Sequence, residues 1–345
     1  VTMILVTGAT GHLGNVLVRS LVSSQLKVRA MVAPFEDTKP LEGLDVEIVR
    51  GDIRDAKFVE TACKGVENVY HLAAVISILG KRKSVYDVNV VGTQNVIQAC
   101  MKNKVQKLIY VSSIHAFSEP KRGSLIDESV PIDPKKTVGD YARSKAIATL
   151  EVLKSAKNGV NAVVICPTGV VGPCDWRISE MGNLLLLYSK DLLRVGIDGS
   201  FDFVDVRDVA SLLIEACKRA RSGELFIASG EYVTVRALVQ ILRKIRPARS
   251  VDLFLPSYIA YPVSVFTSAH YLVKKKKPLL TPYSIHTLTR NYVYSSQKAK
   301  NELGYSPRPL YESLKDSLRW FEENGYIPPV SPVQSFVERS SGSYL

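Results

Sequence analysis

Cysteine is scarce in this chain and never paired: Cys63, Cys100, Cys166, Cys174 and Cys217 stand singly among 345 residues, with no Cys-x-x-Cys. This pattern suggests neither a disulfide framework nor a zinc knuckle, so no metal is expected and a reducing, cytoplasmic setting fits best. Internal repeats are absent as well. Acidic residues are outnumbered, 33 Asp and Glu against 45 Lys and Arg, for a net charge of +12. Yet the basic groups Lys81-Arg82-Lys83, Lys135-Lys136, Lys218-Arg219-Ala220-Arg221 and Lys274-Lys275-Lys276-Lys277 lack the aromatic interleaving of single-strand binders, and no DNA-reading motif accompanies them. Nucleic acid is therefore not an expected partner. The first apolar strand starts at the third residue, leaving no room for a charged n-region and hydrophobic h-region, so no secretory signal is expected.

A convincing membrane span is also lacking. Leu253 to Val273 carries no charged residue, but Pro256 and Pro262 interrupt it, and Ser257, Ser264, Thr267, Ser268, His270, Tyr258, Tyr261 and Tyr271 make it polar. It reads as helix in a smaller lobe, with Phe254 and Tyr261 on an apolar wall and Lys274 to Lys277 solvated at its rim. A helix with a basic end could also rest peripherally on an anionic membrane surface.

What is present begins at the first strand. The run Met3-Ile4-Leu5-Val6 turns at once into Thr7-Gly8-Ala9-Thr10-Gly11-His12-Leu13-Gly14. Residues without a Cβ let backbone and an anion approach closely, and the next helix turns its N-terminus to that anion, as a dinucleotide's pyrophosphate requires. Further apolar runs at Val28-Met31, Val46-Ile48, Val69-Leu72, Leu108-Val111 and Ala162-Ile165 alternate with helical patterns. They predict an α/β fold with a doubly wound parallel sheet. Residues 1–171 read as the dinucleotide-binding domain, completed by about 201–228. A discontinuous lobe takes about 172–200 and 229–327, and 328–345 form a loosely ordered tail.

Two later signals join the glycine-rich turn: Val111-Ser112-Ser113 at the end of a core strand, and Tyr141-Ala142-Arg143-Ser144-Lys145, a phenol and an ammonium one helical turn apart. In order and spacing the three resemble the extended short-chain dehydrogenase/reductase family, over nearly the whole chain to about Ile327. The resemblance implies a catalytic Ser113, Tyr141 and Lys145, and an Asn89 that props open its helix and holds a water against the lysine. It further implies cofactor contacts from Thr7, Gly8, Thr10, Gly11, His12, Leu13 and Gly14, from Asp52 (adenine amine) and Ile53, and from Leu72, Ala73 and Ala74. Pro167, Thr168, Gly169 and Val170 are expected beside the nicotinamide, and His71 as packing. The Phe203-to-Ala210 motif is expected to tie lobe to core.

The expected chemistry is hydride transfer at a carbonyl carbon, with Tyr141 donating the proton. Lys145 would lower the phenol's pKa and reach the nicotinamide ribose, and Ser113 would hold the substrate oxygen. NAD-specific members place an acid at the end of the second strand, where this chain has Val32, and reductase relatives place Arg where it has Ala33. Arg29 or Lys39 is a candidate for a 2′-phosphate and Glu36 or Asp37 for a ribose, and the balance leans to NADP over NAD. The lobe is apolar and aromatic, so the expected substrate is a small apolar alcohol or carbonyl (sterol-like, flavonoid-like or aromatic) contacted by Val75, His115, Trp176, Phe254 and Tyr261. The rivals are a nucleotide-sugar epimerase or dehydratase with tightly bound NAD, and a non-catalytic cofactor-binding regulator. Within the resemblance lie dihydroflavonol-reductase-like and 3β-hydroxysteroid-dehydrogenase-like bacterial members. A homodimer is expected through helices at Val91–Met101 and Tyr141–Ala156, with Ala142, Ala146, Thr149 and Leu153 offering surface for the contact or, in part, facing the sheet.

Overall fold

Continuous apolar runs bury both faces of a strand, and in the computed structural model they do so across one central sheet. The structure describes residues 3–76, 82–248, 251–262, 264–265 and 281–329. Seven strands, β1 Met3–Thr7, β2 Lys27–Val32, β3 Val46–Arg50, β4 Asn68–His71, β5 Lys107–Val111, β7 Ala162–Pro167 and β11 Leu225–Ala228, lie in the order β11-β7-β5-β4-β1-β2-β3. Every neighbouring pair among them is parallel. Side chains alternate across the sheet. Ile4, Val6, Ile109, Val111, Val163 and Ile165 enter one buried cluster. Leu5, Leu108, Tyr110, Ala162, Val164 and Cys166 enter the other. Helices α1 His12–Ser23 and α7 Val206–Arg219 pack together on the first side, and α2 Ala56–Ala62, α4 Gly92–Lys102 and α5 Asp140–Lys157 on the second. Leu5 is fully buried, and truncating such a residue to Ala typically costs about 2–5 kcal/mol.

The sheet reverses direction of winding at β1 and β4, so a crevice opens beyond their C-terminal ends. The lobe that closes it is assembled from small pieces. Strand β8 Gly169–Val171 runs parallel to β10 Ser200–Asp205, which is antiparallel to β12 Glu231–Thr234. Strand β9 Val195–Ile197 pairs with β13 Leu253–Leu255, and β6 Leu125–Ile126 with β14 Val293–Tyr294. The lobe core gathers Leu185, Tyr188, Leu238, Leu242, Leu314, Trp320 and Phe321. Of residues 201–228, only the last strand joins the central sheet, whereas β10 belongs to the lobe. The motif around it fastens the two parts. Asp205, 1 % exposed, caps α7 through the Arg207 amide and pairs with the Arg207 guanidinium. Arg207 also reaches Asp316, while Asp208 holds Arg308.

The charge-free stretch departs from the expected single helix, because it opens as strand β13 and turns helical only from Ser257. No helix among the described residues is long and apolar enough to cross a membrane. Residues 266–280, with Lys274 to Lys277, and the tail from 330 lie outside the described residues, as does Lys81.

Candidate active site

At the crevice the glycine turn is sterically obligatory. Gly8 has φ +68°, and a Cβ there would stand 2.8 Å from the Ala73 amide nitrogen. One on Gly14 would stand 2.1 Å from the Gly8 carbonyl oxygen. Gly11 is the N-cap of α1, no side chain caps that end, and its first turn carries no acid. A helix start with unclaimed amides and a positive dipole fits a pyrophosphate. Leu13 is packed against the core behind the turn, while His12 and Asn15 staple the Pro173-Cys174 segment onto α1 by donating to the carbonyls of those two residues.

Thr7 ties the turn to β4. Its hydroxyl accepts from the Leu72 and Ala73 amides and meets His71 Nδ1 at 2.8 Å. The other ring nitrogen of His71 meets the Thr93 hydroxyl at 2.9 Å, and Thr93 gives its own proton to the Asn89 carbonyl. The proton assignment follows: Nε2 donates to Thr93, and Thr7 donates to Nδ1. Burial pushes His71 down to about 3, with the Lys145 charge acting the same way. His71 is therefore more than packing, being a neutral joint between the phosphate turn and the helix of Asn89.

Asn89 sits in one π-helical turn, Asp87–Val91, before α4. Its amide clamps the Val75 backbone at both N and O and donates to Ser144 Oγ, which itself donates to the Tyr141 carbonyl. Asn89 thereby links the Val75 backbone to the helix that carries Tyr141. Val75 accordingly serves through its main chain.

Ser113 follows β5 and N-caps a short turn, accepting from the His115 amide. Tyr141 and Lys145 project from α5, whose start at Gly139 (φ +92°) admits the Tyr283 ring. Lys145, 3 % exposed, donates to the Val111 carbonyl at 2.8 Å and to the Tyr110 hydroxyl at 3.4 Å. Burial lowers its pKa to about 8. The Tyr141 phenol is pushed up to about 12 by burial, against a smaller downward pull from the Ser113 hydroxyl. This corrects the expectation of a phenol acidified by the lysine: with its ammonium drawn to the β5 carbonyl, desolvation decides.

Beside the phenol lies an aromatic wall. The His115 ring stands 6.2 Å from Tyr141, 6.2 Å from Phe201 and 5.7 Å from Tyr283, and burial holds it neutral at about 4. Behind it, Glu119 pairs with both His286 and Arg290. Sequence reading missed Phe201 and Tyr283, which reach His115 from β10 and from the helix Pro282–Thr289. The Thr281-Pro282 pair, a capping residue followed by proline, was the one local signal of that helix start.

Other expected substrate residues lie elsewhere. Trp176 lines a cavity of about 410 Å³ with Thr10, Glu36, Lys39 and Arg177, at the glycine turn, and stacks edgewise on Trp320. Phe254 packs over Gly196 and under Arg236, and Tyr261 is 49 % exposed. Asp52 is clasped by the Arg54 guanidinium, which lowers its pKa, and Ile53 is buried against Gly92. Ala74 is half-buried after β4. Beyond buried Pro167, Thr168 turns to the Ala228 carbonyl, Gly169 lies between the Phe201 and Phe203 rings, and Val170 pairs with Val204. The supposed dimer face is largely spent within the chain: Ala142, Ala146 and Thr149 are buried, with Thr149 bonded to Ser112, and Leu153 packs on the core. Among the described residues no cluster of His, Cys, Asp or Glu could hold a metal.

Comparison with known proteins agrees with this geometry. The model of the 3-beta hydroxysteroid dehydrogenase/isomerase family matches residues 5–233. Sterol demethylase protein B of Methylococcus capsulatus is 32 % identical over 326 residues, covering 94 % of this chain and 99 % of the relative. The 3beta-hydroxysteroid-dehydrogenase/decarboxylase isoform 1 of Arabidopsis thaliana is 30 % identical, covering 92 % and 79 %. The crystal structure of gox2253 superposes with a TM-score of 0.83 at 29 % identity, covering 95 % of this chain and 100 % of that one. With its glycine turn, Ser113, Tyr141 and Lys145 set around one crevice, the chain belongs to the 3-beta hydroxysteroid dehydrogenase/isomerase family, within the extended short-chain dehydrogenases/reductases.

Proposed function

We propose that this NAD(P)-dependent enzyme interconverts a ring-borne secondary alcohol and its ketone on a sterol-like substrate. The observation that carries this reading is the wall of His115, Phe201 and Tyr283 beside the Tyr141 phenol. Aromatic and held neutral, it suits an apolar ring body, and burying such a body is worth roughly 25 cal/mol per Å². A nucleotide-sugar diphosphate would need unpaired cations there, whereas His286 and Arg290 are both engaged by Glu119. Relatives named for sterol demethylation and for 3β-hydroxysteroid dehydrogenation support the same substrate class.

NAD(P), when bound, supplies or accepts the hydride. The chain's own residues do the rest. Ser113 hydrogen-bonds the substrate oxygen, and Tyr141 as phenolate takes the alcohol's proton in oxidation or as phenol gives its proton to the carbonyl oxygen in reduction. Lys145 holds a positive charge one turn away, and Asn89 fixes the helix through Ser144. A panel of sterols, aromatic ketones, aldehydes and UDP-sugars with each cofactor, followed at the nicotinamide absorbance, tests the proposal. Turnover confined to UDP-sugars, with NAD released only on denaturation, would replace it by the epimerase reading.

A further inference from the structure

Neither of the usual residues that distinguish NAD from NADP is present at the end of β2, where Val32 is buried and Ala33 follows. Four nearby side chains were open to that task, and the structure separates them. Arg29 is turned away to Glu47 and to the carbonyls of Ala62 and Lys64. Asp37 caps the Lys39 amide, and the Lys39 ammonium lies 5.4 Å over the Trp176 ring. Glu36 alone of the four bonds to the glycine turn: its carboxylate accepts from the Thr10 hydroxyl at 2.6 Å and from the Ala33 amide at 3.3 Å, and pairs with Arg177. Arg50 steadies the loop from below by donating to the Glu36 carbonyl and to Thr38.

We infer that Glu36 is the residue that selects NAD over NADP, acting from the loop after β2 instead of the strand end. The inference rests on the dinucleotide-binding reading of the crevice and is independent of the substrate. Thr10 lies within the phosphate turn, so a carboxylate bonded to it stands at the adenosine end of the crevice, within the cavity shared with Trp176. There it can accept ribose hydroxyls by exchanging the Thr10 proton for theirs. A 2′-phosphate in that place would meet a carboxylate that stays ionised, since the Thr10 and Arg177 contacts together outweigh the upward pull of its burial. Arg177, paired with Glu36, and Lys39, which lines the same cavity, offset part of this repulsion, so the preference rests chiefly on the carboxylate as acceptor for the ribose hydroxyls. Arg177 also serves as a strap, joining the lobe's 173–177 segment to the β2 loop. A preference for NAD runs against the sequence lean to NADP: Arg29 is turned away from the crevice, while Lys39 shares the cavity with its ammonium held over the Trp176 ring.

The test is calorimetric titration of the purified full chain with NAD⁺ and with NADP⁺, without substrate, for wild type, Glu36→Gln and Glu36→Ala, with thermal melts to check folding. Wild type should bind NAD⁺ at least about tenfold more tightly, and Glu36→Gln, which removes one charge and no volume, should shift the ratio of affinities at least about tenfold toward NADP⁺. Equal or tighter wild-type binding of NADP⁺ overturns the inference, and so does a ratio unchanged in both folded variants. Binding of neither nucleotide would sink the dinucleotide reading itself. Binding of NAD⁺ with no turnover on any sterol would leave the Glu36 result standing and count only against the proposed substrate.

Discussion

The two sides of the crevice are built differently. On the phosphate side, the ends of central strands and the starts of helices hold one another: Thr7 holds Leu72, Ala73 and His71, and His71 holds Thr93. On the lobe side the supports are strands of two to six residues in three small sheets, and Leu253, Tyr258, Ile259, Tyr261 and Val265 are all exposed. Rigid strand ends hold the chemistry within a narrow tolerance, while loosely joined lobe pieces can change their wall without disturbing it. Mutations on the first side should therefore act on turnover or on cofactor binding, and those on the second on substrate affinity alone.

The largest effect is expected at Tyr141. Tyr141→Phe removes only the proton carrier, so turnover should fall about a hundredfold or more while NAD(P) affinity and melting temperature stay near wild type. Near-normal turnover in the folded variant would break the assignment of the phenol. Gly14→Ala should come next, because its new methyl would stand 2.1 Å from the Gly8 carbonyl oxygen. Moving the turn apart should weaken cofactor binding about tenfold or more, since the amides that face the pyrophosphate move with it. Titration with NAD⁺ and NADP⁺ reads this directly.

Lys145 separates stability from activity. Burial drops its pKa from 10.5 to about 8, so the folded state releases this proton more readily than the unfolded chain. The cost of burying the charge is present in full below about pH 8 and disappears as pH rises through the unfolded value near 10.5. Lys145→Met should therefore melt about 2 °C or more above wild type at pH 7, with the gap closing above pH 8, although it turns over poorly. A lower melting temperature for the variant at pH 7 would show that the bonds to Val111 and Tyr110 outweigh desolvation.

These contrasts also mark what sequence could reveal. Gly8, Gly14, the six apolar strands and the Tyr141–Lys145 spacing are local rules of sterics and periodicity, and each appears in the fold where the pattern put it. The wall was not legible in that way. Phe201 and Tyr283 are distant in sequence and meet His115 only through the lobe's folding, whereas Phe254 and Tyr261 look like wall by composition and pack elsewhere. Charge placement was equally hidden, since the direction taken by Arg29 or by the Lys145 ammonium depends on carbonyls that no spacing predicts.

The lobe side is sharpened by setting two pairs of variants against each other. Tyr283→Ala and Phe201→Ser should raise KM for an apolar ring substrate about tenfold, as loss of one to two kcal/mol of buried surface implies, with kcat nearly unchanged. Phe254→Ser and Tyr261→Ser should leave KM within about twofold. The reverse order would return the wall to the charge-free stretch.

The smallest effect concerns the exposed apolar residues of that stretch. Leu253, Tyr258, Ile259, Tyr261 and Val265 present 42 to 76 % of their surface, and the sequence continues into Lys274 to Lys277. Apolar side chains followed by lysines are the composition of a peripheral membrane contact, with roughly 1 kcal/mol for each cation near an anionic surface. A sterol-like substrate dissolved in a bilayer would make such contact useful, since the enzyme could meet it there. The protein should therefore sediment with phosphatidylserine-containing vesicles at low salt and be released as salt rises. Replacing the four lysines with glutamine should abolish that attachment while turnover on a detergent-dispersed substrate holds. If wild type ignores the vesicles at low salt, the exposed side chains serve another contact, and a homodimer formed through them, measured by light scattering at micromolar concentration, becomes the reading to pursue.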